Sequence, residues 1–250
     1  MKKDYESLRK EKSRIRKLIW DRMLEMKIAR FPLPPHGRIP NFAGSEKCGL
    51  LLDEIREWRD AEVVKINPDS PQWSVRLKAL SDGKTLMMPT PRIRQGFLVI
   101  NPKRVPESKL REAATIRGAF KWGKRLRTSR DLIEIGSVDL IVEGSVAVNV
   151  HGERLGKGEG YGDLEFAILA ELGLVSRDVP VVTTVHEIQI VSNSLPQTPH
   201  DVSLDYIITP GSIIRTKNRR SRPDGILYEF LDRRKVREIP ILREILHAER

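Results

Sequence analysis

The 250-residue chain alternates between two spacings of apolar side chains, one typical of helices and one typical of strands. Residues 4–29 carry apolar positions at helical spacing, with Lys and Arg on the remaining face, which predicts a long first helix. Runs rich in Val and Ile predict strands over residues 61–66, 85–89, 95–100, 138–142, 146–150, 180–185, 188–191 and 206–209. Helices are predicted over 46–58, 106–119 and 164–173, while 75–80 suits a helix or a strand. This alternation predicts a three-layer α/β/α fold with a mainly parallel sheet.

Residues 154–163 interrupt the pattern with the sequence Arg-Leu-Gly-Lys-Gly-Glu-Gly-Tyr-Gly-Asp. A strand-like run precedes this stretch and a helix follows it, so backbone N–H groups and the positive end of the helix would point the same way. Arg154 and Lys157 can reach a phosphate, and Asp163 could cap the helix or hold Mg²⁺. The stretch lacks the Gly-Lys-Ser/Thr of the common triphosphate loop. It therefore predicts an anion site of another type, with a tight turn capped by Asp163 as the alternative.

The charge balance narrows the range of partners. Lys and Arg number 45 against 34 Asp and Glu, and the net charge of +11 favours anionic partners such as nucleotides or nucleic acid. Cys48 is the single cysteine, which excludes an internal disulfide and fits a reducing cytoplasm. No apolar run is long enough to span a bilayer, and the first residues lack the apolar core of a signal peptide, so a cytoplasmic location is expected.

Residues 149–163 resemble the signature of the 5-formyltetrahydrofolate cyclo-ligase (methenyltetrahydrofolate synthetase) family, whose loop reads Arg-Leu-Gly-x-Gly-x-Gly-Tyr-Tyr-Asp. Gly162 stands where that family has its second Tyr. The residues at 163–167 are more similar to a divergent branch, the methenyltetrahydrofolate synthase domain-containing proteins. The resemblance implies the cyclo-ligase fold, which is related to the sugar-phosphate isomerase and CoA-transferase group. It also implies one domain over 1–212, with a basic C-terminal extension over 213–250 that packs on the domain or flanks it.

The resemblance implies an activity as well. The family closes 5-formyltetrahydrofolate to 5,10-methenyltetrahydrofolate with ATP and Mg²⁺, and it releases ADP and phosphate. A folate-type small molecule is therefore the expected substrate, ATP the expected co-substrate and Mg²⁺ the expected metal. The expected assembly is a monomer or a homodimer, without a membrane partner. The Gly162 substitution bears on folate positioning and leaves the phosphate elements intact.

Site residues are carried over from the resemblance position by position. Arg154 and Lys157 are the expected catalytic residues, and Asp163 and Asp201 are the expected Mg²⁺ ligands. The residues expected to bind ATP are Lys12, Arg16, Arg154, Gly156, Lys157, Gly158, Gly160 and Tyr161. The residues expected to contact the substrate are Lys157, Tyr161, Phe42 and Glu46, the last two from the region where the folate is expected. Arg92 and Arg94 follow a predicted strand and are expected at the rim of the cleft.

Two other functions fit the sequence. One is an ATP-dependent, ligase-like enzyme that acts on another formylated amine or a pterin-like compound. The other is a non-catalytic nucleotide- or RNA-binding module, which would use the basic cluster around Trp122 and a second basic run. That run comprises Arg215, Lys217, Arg219, Arg220 and Arg222, and we expect it to be mostly solvated surface. Nucleic acid is a possible partner but is not favoured. His186 and Glu187 admit acid–base chemistry, although a role in a turn or at a sheet edge is the favoured interpretation.

Overall fold

The computed structural model describes residues 2–217 and 222–248. Its main sheet is built from short strands that are buried along most of their length. The strands in the described residues are β1 (Ala29–Arg30), β2 (Asn41–Phe42), β3 (Val63–Ile66), β4 (Thr85–Pro89), β5 (Phe97–Ile100), β6 (Lys124–Leu126), β7 (Leu140–Glu143), β8 (Ala147–Val148), β9 (Arg154–Leu155), β10 (Val181–Thr184), β11 (Tyr206–Ile208) and β12 (Ile213–Arg215).

The longest helix of the described residues comes first and carries Lys12 and Arg16, two of the residues expected to bind ATP. The helices are α1 (Lys2–Glu25), α2 (Ser45–Cys48), α3 (Arg56–Asp60), α4 (Trp73–Ser81), α5 (Leu110–Ala113), α6 (Ile116–Trp122), α7 (Ser129–Ile133), α8 (Tyr161–Glu171), α9 (Arg233–Glu238) and α10 (Pro240–Ala248). Within the part of the chain that the structure describes, none of them combines the length and apolarity that a membrane crossing requires.

The centre of the molecule is an eight-stranded sheet in the order β12-β11-β10-β7-β3-β4-β5-β6. The strands from β11 to β4 run parallel to one another. β12 at one edge, and β5 and β6 at the other, are antiparallel to their neighbours. The predicted α/β fold with a mainly parallel sheet is confirmed.

Side chains of the strands alternate between two faces of the sheet, and each face has its own core. On β4, Leu86 and Met88 join a cluster with Ile19 of α1, whereas Met87 joins the opposite cluster with Phe166 of α8. Helices α1, α4 and α6 cover the first face, and α7, α8 and α10 cover the second. The three layers therefore follow from the period of two in the strands.

The predicted strand over 188–191 was wrong. His186 accepts a hydrogen bond from the Ile188 N–H at 3.3 Å, and the Gln189 side chain accepts one from the His186 N–H at 2.9 Å. These two bonds close a 3₁₀ turn over Glu187–Gln189. His186 and Glu187 thus form part of a turn, which is one of the roles that the sequence favoured.

Two long predicted helices are broken in the structure. The helix predicted over 46–58 consists of α2, a 3₁₀ turn over Leu50–Glu54 and α3. At the first break Gly49 lies so close to α4 that a β-carbon there would be 3.0 Å from the Ser74 carbonyl oxygen. The helix predicted over 106–119 restarts at α6, because the Thr115 hydroxyl accepts the Gly118 N–H and caps a new helix.

The strand predicted over 146–150 leaves the main sheet. Its centre forms β8, which pairs with β9 in a separate two-stranded sheet, with Val148 opposite Arg154. Residues 75–80, which suited a helix or a strand, lie in the helix α4. The small sheet matters for function, because β9 leads directly into the glycine-rich stretch.

The chain after residue 212 packs on the same core. Ile241, Leu242 and Ile245 of α10 are buried in the cluster that contains α8. Arg222 is 4% exposed, and its guanidinium lies 2.5 Å from the Asp205 carboxylate. The prediction that this basic run is solvated surface was therefore wrong at Arg222, because the half-buried Asp205 carboxylate and backbone carbonyls receive its charge. Arg219 and Arg220 of that run lie outside the described residues.

Candidate functional site

The glycine loop, residues 156–160, connects β9 to α8 at the carboxyl ends of the central strands. Gly160 has a positive φ of 63° and is the N-cap of α8, without a side-chain cap. Because glycine adopts this left-handed conformation at little cost, the chain can turn sharply into the helix. Asp163 lies within the first turn of α8 and is not its cap. The alternative of a turn capped by Asp163 is therefore wrong, and within the described residues α8 begins without a side-chain hydrogen bond at its N-cap.

Helix α1 lies against this loop and brings two cations to it. The Arg16 Nε donates to the Gly156 carbonyl at 2.6 Å. One helical turn earlier, the Lys12 Nζ lies 2.5 Å from the Asp201 Oδ2, and both side chains are about one-tenth exposed. The structure thus brings together Lys12, Arg16, the loop and Asp201, which are far apart in the sequence.

Arg154 is buried at the start of the loop and bound on three sides. Its guanidinium donates to the Asp163 carboxylate, to the Gly144 carbonyl at 2.9 Å and to the Val202 carbonyl at 3.4 Å. Burial would raise the pKa of Asp163, but the Arg154 charge and the Val202 N–H outweigh it and hold that pKa below its ordinary value. Arg154 is 4% exposed, so this geometry favours positioning of the loop over direct contact with a ligand.

The two aspartates expected to hold Mg²⁺ lie in adjoining segments. Asp163 Oδ1 accepts the N–H of Val202, the residue next to Asp201. Asp201 Oδ2 accepts the Thr198 N–H at 2.6 Å and the Thr198 hydroxyl at 2.8 Å. Each aspartate is held through one oxygen, and the second oxygen has no partner among the described residues. Mg²⁺ commonly takes one or two protein carboxylates and completes its shell with water and phosphate, so this donor set fits the ion. In the described residues, no larger cluster of acidic, His or Cys side chains suits a metal.

Lys157 is the most exposed of the expected catalytic side chains. Its Nζ lies 3.8 Å from Asp69 Oδ1 and 3.5 Å from Glu159 Oε2, and the side chain is 34% exposed. Burial raises the pKa of Asp69 above its ordinary value. Arg92 lies 3.2 Å from Glu159, which places Arg92 at the rim of the loop. Lys157 is thus a cation that can turn towards a ligand.

A cavity of about 530 Å³ has Pro68 and Ser70, the two chain neighbours of Asp69, in its wall. Glu46 lines it, together with Asn41, Ser70, Arg76, Thr115 and Arg117. Phe42 does not reach it, because its ring is 1% exposed and packs into the core edge-on to His186. The structure therefore places Glu46 at a pocket, whereas it places Phe42 in the hydrophobic packing beneath.

A buried charged cluster that the sequence analysis missed lies beneath the loop. The Lys65 Nζ on β3 lies 2.5 Å from Glu143 Oε1 and 2.6 Å from Glu165 Oε2, and the Lys65 side chain is fully buried. The Asn67 side chain donates to Glu165 at 3.1 Å. Burial raises the pKa of Glu165 to about 7. The available signal was a lysine inside an otherwise apolar strand, which needs carboxylate partners when buried.

Glu143 also accounts for Gly162. A β-carbon at residue 162 would lie 2.5 Å from Glu143 Oε2, closer than any ordinary contact. Glu143 is 1% exposed and held by Lys65, so it has little room to move. The space that a second tyrosine would need at position 162 is therefore taken by a carboxylate.

The segment after residue 212 adds a further cation to the loop. The Lys235 Nζ on α9 donates to the Gly160 carbonyl at 3.1 Å and lies 4.7 Å from the centre of the Tyr161 ring. Burial lowers the pKa of Lys235 from its ordinary value. Arg94 fixes the same helix through an ion pair with Glu238 at 2.9 Å. Sequence reasoning placed Tyr161 and Arg94 near the site but did not find Lys235.

The basic cluster around Trp122 lies where α6 ends and leads into the edge strand β6. Trp122 is half-buried and packs against the core on the α1 face, next to the edge strand β6. Lys121 lies over its ring at 5.2 Å and pairs with Glu112 at 2.8 Å. These contacts fit an anchoring Trp with solvated neighbours.

Comparison with known proteins agrees with this architecture. Residues 8–210 match the 5-formyltetrahydrofolate cyclo-ligase family. The chain therefore belongs to that family of ligases. The methenyltetrahydrofolate synthase domain-containing protein of Bos taurus is 39% identical over 243 residues, which cover 95% of this chain and 62% of the relative. The protein of the same name from Homo sapiens is 39% identical, with 94% and 61% covered. The chain thus spans about three fifths of the curated relatives it matches.

A solved structure shows the same fold. The NMR structure of Aquifex aeolicus 5,10-methenyltetrahydrofolate synthetase superposes with a TM-score of 0.50 at 20% identity, covering 85% of this chain and 96% of that protein. This structure confirms the fold, while the family match and the two relatives confirm the resemblance to the cyclo-ligase family and to its divergent branch.

The contact between Glu143 and position 162 predicts strong coupling between two substitutions. We expect Gly162→Ala to lower the free energy of unfolding by about 1–3 kcal/mol, because the methyl group displaces the buried Glu143 carboxylate. In a Glu143→Ala background the same change should cost at least about 1 kcal/mol less. Urea unfolding of the four proteins measures this, with Gly211→Ala as the control, since a β-carbon there meets nothing within 4 Å. Additive effects would contradict the packing described here.

Glu165 makes stability depend on pH in a defined direction. Its pKa is about 7 in the folded chain against an ordinary value of 4.5, so the folded state binds more protons between these values. The free energy of unfolding of the wild type should therefore fall from pH 4.5 to pH 7, by up to about 3 kcal/mol relative to Glu165→Gln. Urea unfolding across that range, without added divalent cations, measures the difference. Parallel curves for the two proteins would contradict it.

Proposed function

We propose that the chain catalyses the ATP- and Mg²⁺-dependent conversion of 5-formyltetrahydrofolate to 5,10-methenyltetrahydrofolate, with release of ADP and phosphate. The proposal rests on one observation. A glycine loop, the N-terminus of α8 without a side-chain cap, and two aspartates in adjoining segments lie together. The cations Lys12 and Arg16 reach the same place from α1. Such a place suits a triphosphate and its metal.

The residues at this site would act mainly by holding and neutralising charge. The loop N–H groups, Arg16 and Lys157 would receive the nucleotide phosphates. Arg154 would hold the loop in shape through Asp163. Asp163 and Asp201 would hold Mg²⁺, which neutralises charge on the phosphates when it is bound. Lys12 would balance Asp201 until the nucleotide arrives.

The resemblance implies a reaction that proceeds in two steps. The formyl oxygen attacks the γ-phosphorus, the bond to ADP breaks, and a phosphorylated imidate forms. The neighbouring ring-system nitrogen then attacks the formyl carbon, the bond from that carbon to the phosphorylated oxygen breaks, and phosphate leaves with the proton of the attacking nitrogen. Because the γ-phosphorus and the formyl group must meet, the substrate pocket has to adjoin the loop. The cavity lined by Glu46 supports this, because Pro68 and Ser70 in its wall flank Asp69, which lies 3.8 Å from Lys157.

A second candidate reaction is favoured by one observation, the buried Glu143 carboxylate that leaves no space for the family's second tyrosine at position 162. Without that ring the site lacks one aromatic contact to a flat substrate. An ATP-dependent reaction on another formylated amine or a pterin-like compound would use the same phosphate elements.

The proposal also includes a cytoplasmic location and a monomeric or homodimeric state. The buried Cys48 thiol forms no disulfide, which fits a reducing compartment.

Turnover provides the first test. Wild-type protein mixed with Mg²⁺-ATP and 5-formyltetrahydrofolate should produce methenyltetrahydrofolate, which is followed by its near-ultraviolet absorbance. Asp201→Asn and Lys12→Met should each lower kcat/KM by at least about 100-fold, because each removes charge at the phosphates. Lys10→Met is the matched control on the same helix, since Lys10 is 79% exposed, and it should leave turnover unchanged. Wild-type protein that binds ATP but forms no product would contradict the folate reaction.

A panel of formylated substrates separates the two candidate reactions. We expect ATP consumption to be fastest with 5-formyltetrahydrofolate, and ADP release measures it for every compound in the panel. If the lack of an aromatic ring at position 162 has changed the specificity, another compound of the panel should be consumed faster than 5-formyltetrahydrofolate.

A further inference from the structure

Lys235 lies outside the region that the family model matches, which ends at residue 210. It nevertheless contacts the last residue of the glycine loop through the Gly160 carbonyl, and it lies over the ring of Tyr161, the first residue of α8. The helix that carries Lys235 is anchored, because buried Ile239 and Ile241 follow it at once. The lysine is therefore held at the loop by the fold.

The cations around the loop differ in how their charge is balanced. Arg154 and Lys12 are paired with carboxylates at close range. Arg16 and Lys235 bond to loop carbonyls, at Gly156 and Gly160, and within the described residues neither has a carboxylate within 4.0 Å. The loop is thus flanked at both ends by cations whose charge has no direct partner.

The surroundings of Lys235 suit an anion. An ammonium group has three donors, and the Gly160 carbonyl uses one of them. The helix α8 begins at Gly160 without a side-chain cap, so its first N–H groups point to the same place. A half-buried cation without a carboxylate gains from a bound anion, because the anion compensates the charge that burial leaves unsolvated.

We propose that Lys235 is a further nucleotide-binding residue, which contacts the phosphate chain of ATP at the end of the glycine loop opposite to Arg16. This assignment rests on the proposed nucleotide site and adds to it a residue from outside the matched family region. The segment after residue 212 is then part of the binding site. A purely structural alternative has Lys235 only joining α9 to the loop.

Binding measurements test the assignment without turnover. Calorimetric titrations of wild type, Lys235→Met, Lys235→Arg and the exposed control Arg237→Met use Mg²⁺-ATP and inorganic tripolyphosphate. Lys235→Met should raise the Kd for both ligands by about tenfold or more, as expected for one charge-assisted contact. Lys235→Arg should stay within about threefold of wild type because the charge is kept, and Arg237→Met should match wild type.

The unfolding midpoint of the ligand-free variants separates binding from structure. We expect Lys235→Met to keep the wild-type midpoint while its Kd rises. An unchanged Kd would overturn the assignment, and so would a loss of affinity that tracks a fall in the midpoint and is not restored by Lys235→Arg. If the wild type binds neither ligand, the nucleotide site and this assignment fail together. If it binds ATP without forming methenyltetrahydrofolate, the proposed reaction fails while the affinities still decide the role of Lys235.

Discussion

The ion pair between Arg154 and Asp163 is the constraint on which the rest of the site depends. Arg154 also binds the carbonyl of Gly144, after β7, and Asp163 binds the N–H of Val202. One buried contact therefore ties together the strand before the loop, the helix after it and the segment that carries Asp201. Breaking a buried pair by removing one partner typically costs about 3–5 kcal/mol, because the other charge stays buried. Because this ion pair fixes both ends of the glycine loop, the loop can keep its shape although most of its residues are glycines.

Beneath this pair, the fold uses a second set of buried charges to shape the site. Lys65 holds Glu143 and Glu165 on two different elements, β7 and α8. Burial raises the pKa of Glu165, the carboxylate on α8. The floor of the site is thus polar and rigid, and it sets how close a ligand can approach α8.

Much of this arrangement follows from sequence. The order of strands and helices and the glycine stretch predict the fold and the anion site, and the spacing of Lys12 and Arg16 puts both on one face of α1. What the sequence could not provide is the pairing across distant elements. Lys65 meets Glu143 because β3 and β7 are neighbours in a particular register, with Lys65 opposite Ile141. Lys235 sits among other basic residues on α9, and only the packing of that helix distinguishes it.

The contact between Glu143 and Gly162 also constrains how such a chain can change over generations. The Glu143 carboxylate on β7 fills the space beside Gly162 on α8. A larger residue at either position therefore requires a smaller residue at the other. A lineage with Glu143 must lose that carboxylate before it can gain an aromatic ring at position 162. The intermediate would carry a void beside a buried lysine, which selection removes readily. Chains with Glu143 and Gly162, and chains with an aromatic ring at position 162, should therefore persist as separate lines of descent.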